Sequence, residues 1–237
     1  KAFEEQLKQH DIQDLSFEDR LGLLVDRESE ERSNRALTRR LKQARLRIKC
    51  GFEEIDFSKK RGLDLRVILS LASCQWVRSH QNILISGSTG VGKTFLACAF
   101  GYKACLEGFK TLYFRMPRLL QELLVARGDG RYEQLMHSLQ RTSLLILDDW
   151  GITPFNNESC RDLLEIVEDR YQSGSTIISS QLPFNDWHRA LSSPTLADAI
   201  LDRLFHNACR LGLKGHSMRK KSVIPEVSTL SGGHVAE

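Results

Sequence analysis

Residues Gly87-Ser88-Thr89-Gly90-Val91-Gly92-Lys93-Thr94 form a G-x-x-x-x-G-K-[ST] run between an apolar stretch, Asn82-Ile83-Leu84-Ile85-Ser86, and a helical pattern from Phe95 to Leu106. A strand that feeds a glycine loop into a helix is the setting in which this run cradles phosphates. Its glycines let backbone N–H groups turn inward around phosphate oxygens, and the helix presents its positive N-terminal end to them. A glycine turn carrying a surface lysine would need neither flank. The spacing therefore predicts a site for Mg2+ and ATP over Gly87 to Phe95, with Lys93 on the β- and γ-phosphates and the Thr94 hydroxyl in the Mg2+ shell.

A second apolar run, Leu144-Leu145-Ile146-Leu147, ends in Asp148-Asp149. Carboxylates at the end of a core strand arrive where an α/β sheet binds its ligands. Asp148 is predicted to hold Mg2+, mostly through water, and Asp149 to orient or deprotonate the attacking water. Thr176-Ile177-Ile178-Ser179-Ser180 reads as a further strand, and Ser180 or Gln181 at its end is placed to sense the γ-phosphate, or merely to cap the strand. Thr111 to Phe114 is another strand, and helices are expected over Leu65 to Ser79, Pro117 to Val125 and Arg131 to Leu139. Alternation of strands and helices favours an α/β fold, a parallel sheet with helices on both faces.

Ahead of this pattern, Ser16 to about Lys49 is helical, with Leu37, Leu41, Ala44 and Ile48 along one stripe. Between Glu31 and Lys49 eight basic residues face one acid, Glu31 itself, which makes the segment either a solvated helix face or a surface for phosphates or a partner protein. The expected division is 1–50 as an N-terminal helical partner- or DNA-interaction region, 51–225 as the ATPase domain and 226–237 as a flexible tail. Lys1 is not an initiator Met, so a trimmed N-terminus is expected. Six cysteines lie in apolar segments without a C-x-x-C pair, which predicts reduced, buried thiols. No apolar run approaches the roughly 18 residues of a transmembrane helix, so a cytoplasmic protein without a membrane partner is expected.

Taken together these residues resemble the IstB/DnaC group of AAA+ ATPases, and within it the IstB-type helpers of bacterial insertion sequences. The resemblance spans most of the chain: Phe52-Glu53-Glu54-Ile55-Asp56-Phe57, Gly62-Leu63-Asp64, the P-loop, Arg131-Tyr132, Leu147-Asp148-Asp149, Arg170-Tyr171, Ser179-Ser180-Gln181-Leu182-Pro183, Asp202-Arg203-Leu204 and Lys214-Gly215-His216-Ser217-Met218-Arg219. The Ser-Gln-Leu-Pro run and the Lys-Gly-x-Ser-x-Arg end carry the IstB likeness; the P-loop and acidic pair are general to the superfamily. The resemblance implies that Arg203 is an arginine finger for a neighbouring subunit's γ-phosphate, with Arg170 as its competitor. This sequence departs from the pattern in carrying Asp149 where Glu is frequent and Gln181 where Asn is frequent. It also stops soon after Arg219, which leaves no full C-terminal lid and makes Arg219 a second-sensor candidate.

Such helpers resemble clamps that form homo-oligomers on duplex DNA, with ATP between subunits, and recruit or activate the transposase of their element. The chain carries basic clusters suited to that role. They are Lys59-Lys60-Arg61, then Arg115, Arg118, Arg127 and Arg131, then Arg203, Arg210, Lys214, Arg219, Lys220 and Lys221 in a stretch to Pro225 without an acid. Without a zinc finger or helix-turn-helix pattern, the expected mode is phosphate contact with low sequence specificity. Two further readings stand beside it: a DnaC-like replicative helicase loader that prefers single strands, and a nucleotide-gated DNA scaffold with little hydrolysis. A small-molecule P-loop kinase is remote, because no basic lid motif for a second phosphate substrate is visible.

Overall fold

The computed structural model describes residues 2–6, 15–57 and 61–218. Five strands, β1 (Asn82–Gly87), β2 (Thr111–Arg115), β3 (Leu144–Trp150), β4 (Ser175–Ser180) and β5 (Ala208–Leu213), form one parallel sheet in the order β2-β3-β4-β1-β5. β4 thus lies between the P-loop strand β1 and the acidic strand β3. The helices are α1 (Ala2–Gln6), α2 (Phe17–Ala44), α3 (Leu65–Ala72), α4 (Gln75–Arg78), α5 (Lys93–Leu106), α6 (Met116–Asp129), α7 (Tyr132–Gln140), α8 (Asn157–Arg170), α9 (Trp187–Ala190) and α10 (Pro194–His206). The expected parallel sheet with helices on both faces is what the chain forms.

Strands buried on both faces read as continuous aliphatic runs, and their period of two assigns each side chain to one of two cores. Ile83, Ile85, Leu144, Ile146 and Ile177 join the core built with α3, α4 and α5. Leu84, Leu145, Leu147 and Ile178 join the core built with α6, α7, α8 and α10. Carried to the C-terminal ends of the strands, the same parity directs Tyr113, Asp148 and Ser179 toward α5, the helix that opens with Lys93 and Thr94. Ser180 has the opposite parity.

Helix α2 ends at Ala44, and Arg45 adopts the left-handed conformation at φ 52°. Beyond it Leu46, Ile48 and Cys50 pack into the α5-side core, and Arg40 Nε donates to the carbonyl of Cys105 at 2.9 Å. The basic end of this helix is therefore fixed against α5 and β2. The single helix expected over Leu65 to Ser79 is broken: Cys74 at φ 54° separates α3 from α4, and the indole of Trp76 donates back to the Leu71 carbonyl at 2.9 Å. Beyond that turn both Trp76 and Val77 are buried.

At the end of the sheet opposite the P-loop, Arg170 is buried at 2% exposure. Its guanidinium donates to the carbonyls of Leu139 (2.6 Å), Thr142 (2.7 Å) and Ser175 (2.5 Å) and to the Thr176 hydroxyl (3.2 Å). Burial pushes its pKa down to about 10, still protonated at neutral pH. Arg170 is thereby removed as a competitor for the finger role, because it is spent on tying α7 and α8 to the starts of β3 and β4. Arg170→Met should leave three carbonyls unsatisfied and cost about 3 kcal/mol or more. Urea unfolding should show the loss as a lower midpoint with an unchanged slope.

Candidate nucleotide site

The P-loop leaves β1 and enters α5 through left-handed glycines, Gly90 at φ 85° and Gly92 at φ 99°. Neither tolerates a side chain. A Cβ on Gly90 would sit 2.2 Å from Ser217 Oγ, and one on Gly92 would sit 2.9 Å from a guanidinium nitrogen of Arg61. Lys93 is buried at 9% exposure, and its ammonium donates to the carbonyls of Gly87 (2.7 Å) and Ser88 (2.9 Å). One positive charge is thus held inside the loop, beside the positive end of α5.

Asp148 receives the densest set of donors in the site. Thr94 Oγ1 donates to Asp148 Oδ2 at 2.8 Å and the Tyr113 hydroxyl to the same oxygen at 2.7 Å. Ser179 donates to Oδ1, which also accepts from the backbone N–H of Asp149 at 3.1 Å. Burial, reinforced by the neighbouring Asp148 carboxylate, pushes the Tyr113 phenol well above its ordinary range, so it is a neutral donor at every physiological pH. Mg2+ prefers hard oxygen ligands and keeps several waters, and the Thr94 hydroxyl beside a carboxylate fits that demand. Among the described residues no group of three or more His, Cys, Asp or Glu could hold a metal ion.

Consecutive residues of a regular strand point to opposite faces, yet Asp148 and Asp149 share a partner. Asp149 takes φ 64°, the pairing of β3 with β4 shifts register between Leu147 and Trp150, and Arg47 Nη1 lies 3.8 Å from a carboxylate oxygen of each acid. The left-handed residue is what brings the second acid round to the same side. Arg115 Nε holds Asp149 Oδ2 at 2.7 Å, and that hydrogen bond raises the Arg115 pKa. Two cations therefore border the acidic pair.

Across the cleft, Thr89 Oγ1 donates to Gln181 Oε1 at 2.6 Å, which places Gln181 on the P-loop. Ser180 is engaged elsewhere, donating to the Trp150 carbonyl at 2.8 Å. Of the two sensor candidates, Gln181 borders the cleft and Ser180 does not. The cleft, about 420 Å³, is lined also by Ile48, Phe95 and Met218, and the N–H of Met218 donates to the Gly90 carbonyl at 2.7 Å. Arg47, Tyr113, Ser179 and Met218 were not assigned to the site by sequence reasoning. The parity of Ser179 with Ile177 was the one signal available.

The other basic candidates scatter. Arg61 is a correction: it is 5% exposed, donates to the carbonyls of Asp56 and Val91 and packs under the P-loop, so it is not a surface contact for DNA. Lys214 is exposed, with its backbone N–H on the Arg61 carbonyl at 2.8 Å. Arg131 is exposed and paired with Asp129. Lys59, Lys60, Arg219, Lys220 and the 226–237 tail lie outside the described residues. Arg203 sits at the far end of the sheet, where Asn82, the first residue of β1, donates to the Leu204 carbonyl at 3.2 Å. Its guanidinium holds Glu168 at 2.7 Å and the Ala199 carbonyl at 2.9 Å. The six cysteines are free, and burial pushes Cys50 up to about 12 and Cys74 up to about 11, which makes both poor nucleophiles.

Comparison with known proteins places these features. A family described as "IstB-like ATP binding protein" matches residues 1–224. A putative insertion sequence ATP-binding protein of Sinorhizobium fredii, y4pL, is 49% identical over 220 residues, covering 93% of this chain and 90% of that protein. The Insertion sequence IS21 putative ATP-binding protein of Pseudomonas aeruginosa is 35% identical over 215 residues, covering 91% and 81%. Among solved structures, DnaI superposes with a TM-score of 0.62 at 19% identity over 70% of this chain and 92% of that one. The replication initiator DnaA bound to AMPPCP and single-stranded DNA superposes with a TM-score of 0.59 at 18% identity over 73% and 52%. These likenesses carry the fold, an AAA+ P-loop domain. Among the described residues no helix is long and apolar enough to cross a membrane.

Proposed function

The chain belongs to the IstB-like ATP-binding protein family, and from that premise we propose that it is an ATP-hydrolysing, DNA-binding helper of insertion-sequence transposition. It assembles as a homo-oligomer on duplex DNA with ATP between subunits, engages the transposase of the same element, and works in the cytoplasm where that DNA lies. The observation that carries the reading is the division of the site between two ends of the sheet. Lys93, Thr94, Asp148 and Gln181 gather at one end, while Arg203 stands beside the first residue of β1 at the other. Five residue steps along β1 separate those ends by roughly 16 Å, so Arg203 cannot serve its own nucleotide and is available to a neighbour's.

Within the site the residues divide the work. Lys93 and the loop N–H groups bind the phosphates, and Thr94 with Asp148 holds Mg2+, which supplies neutralisation of developing charge. Tyr113 and Ser179 fix the Asp148 carboxylate by donating to it. Asp149 takes the water's proton after Arg115 and Arg47 have oriented its carboxylate, and Gln181 reports the γ-phosphate to the loop through Thr89. The shorter Asp149 side chain is compensated by a left-handed backbone that turns it inward.

Fluorescence anisotropy with a labelled duplex of arbitrary sequence tests the DNA part. The reading expects salt-sensitive binding strengthened by Mg2+ and ATP; no such binding would remove its main physical support. Preference for single strands would redirect it to a helicase loader. Single-turnover hydrolysis that stays at the solution rate on saturating duplex would leave only a nucleotide-gated scaffold.

A further inference from the structure

Along the outer edge of the sheet, beside β2, an open groove of about 750 Å³ runs between the C-terminal half of α2 and the α6–α7 pair. Arg39, Lys42 and Arg45 project from one wall at spacings of three, Lys110 stands at the start of β2, and Arg131 faces them from the other wall; Glu122 is the one acid lining it. Arg141 borders an adjoining hollow that shares Lys110. From these residues we infer that the groove binds the phosphate backbone of one strand of duplex DNA. The inference rests on the DNA-binding reading above and gives that reading a path on the molecule.

Charge pairing along α2 separates this groove from an ordinary solvated helix face. In the first part of the helix Arg27, Arg32 and Arg35 are each matched to a glutamate. Past that point Arg39, Lys42 and Arg45 have no ion pair with any described residue, and neither have Lys110 and Arg141. Glu122 is the one acid lining the groove, and Arg131 opposite is already paired with Asp129, so the four unpaired cations Arg39, Lys42, Arg45 and Lys110 repel one another, a cost relieved when a polyanion enters and its counterions are released. The pitch also fits. Six residues of helix from Arg39 to Arg45 rise about 9 Å, a length over which one strand presents about three phosphates at 3.4 Å each. Gln43, Gln134 and Ser138 add donors of the kind that position a backbone without reading bases.

The groove also touches the chemistry. Arg45 closes α2 in a left-handed turn, and two residues further on Arg47 lies 3.8 Å from Asp148 and Asp149. A phosphate drawn to Arg45 therefore acts on the segment that carries a cation to the acidic pair, a direct route for DNA to alter hydrolysis.

The test compares the intact chain with the triple variant Arg39→Gln, Lys42→Gln, Lys110→Gln and with a control that removes the same charge elsewhere, Arg66→Gln, Arg161→Gln, Arg189→Gln. All six side chains are exposed, so both variants should fold, and equal urea midpoints would establish it. Binding of a labelled duplex is measured from low to moderate salt. The groove variant should bind at least about tenfold more weakly, and its slope of log K against log salt should be shallower by about 2.7, three contacts at 0.9 each. The control should stay close to the intact chain. If the groove variant matches the intact chain, or both variants weaken alike, the groove is overturned while DNA binding stands. If the intact chain binds no duplex, both readings fall. Groove-dependent capture of poly-glutamate without duplex binding would assign the groove to an acidic protein segment instead.

Discussion

Lys93→Ala should reduce single-turnover ATP hydrolysis by about 10² to 10³ or more, the scale set by removing one preorganised donor from developing charge. The Lys93 ammonium is held inside the loop by its bonds to the Gly87 and Ser88 carbonyls. Deleting it leaves the N–H cradle and the end of α5 without their partner charge. Binding of a fluorescent ATP analogue should weaken as well, because the lysine contacts the ground state and the transition state alike. The fold should survive: the freed carbonyls border the open cleft and can turn to water. Undiminished hydrolysis by the purified variant would contradict the role given to Lys93.

Arg203→Ala should be as severe and different in kind. An arginine finger is worth about 10³ to 10⁵ in rate, so DNA-bound hydrolysis should fall by that order, while the isolated subunit should bind ATP as before, since Arg203 lies at the opposite end of its own sheet. The pair with Glu168 at 2.7 Å supplies the control. A partly exposed ion pair contributes about 0 to 1 kcal/mol, and Glu168→Ala breaks the same pair without removing the cation. If Arg203 serves only that pair, the two variants should behave alike and neither should lose rate. If it reaches a neighbouring nucleotide, only Arg203→Ala should be inactive.

Much of the sheet was legible because β1, β3 and β4 are buried on both faces and so appear as aliphatic runs in the sequence. Thr94 and Asp148, far apart in the chain, meet at 2.8 Å as the two motifs together implied. β5 escaped notice because an edge strand needs fewer apolar residues: Ala208-Cys209-Arg210-Leu211-Gly212-Leu213 buries only Leu211 and Leu213. Helices α8 and α10 also went unread, although Asn156 caps one and Pro194 opens the other.

Side-chain assignments failed where they depend on register or on the chain folding back. Choosing Ser179 as the partner of Asp148 requires knowing that β4 lies beside β3 and pairs Leu147 with Ile178. Arg47 looked like one more base on a basic helix; only the left-handed turn at Arg45 carries it to the acids. Lys59-Lys60-Arg61 read as one cluster, yet Arg61 is turned under the P-loop, an environment no local pattern encodes. Asp149 at φ 64° is likewise a local exception to strand geometry, of the sort that concentrates at functional sites.

The central claim is that each ATP site is completed by a second copy of the chain, and mixing the two inactive variants tests it most directly. Lys93→Ala has a defective loop but an intact Arg203; Arg203→Ala has the reverse. Combined in equal amounts on saturating duplex DNA with Mg2+ and ATP, they should regain a substantial fraction of the rate of the intact protein, because neighbours then pair a sound loop with a sound arginine. A mixture as inactive as its two components, with both shown to be folded and DNA-bound, would contradict a site shared between subunits.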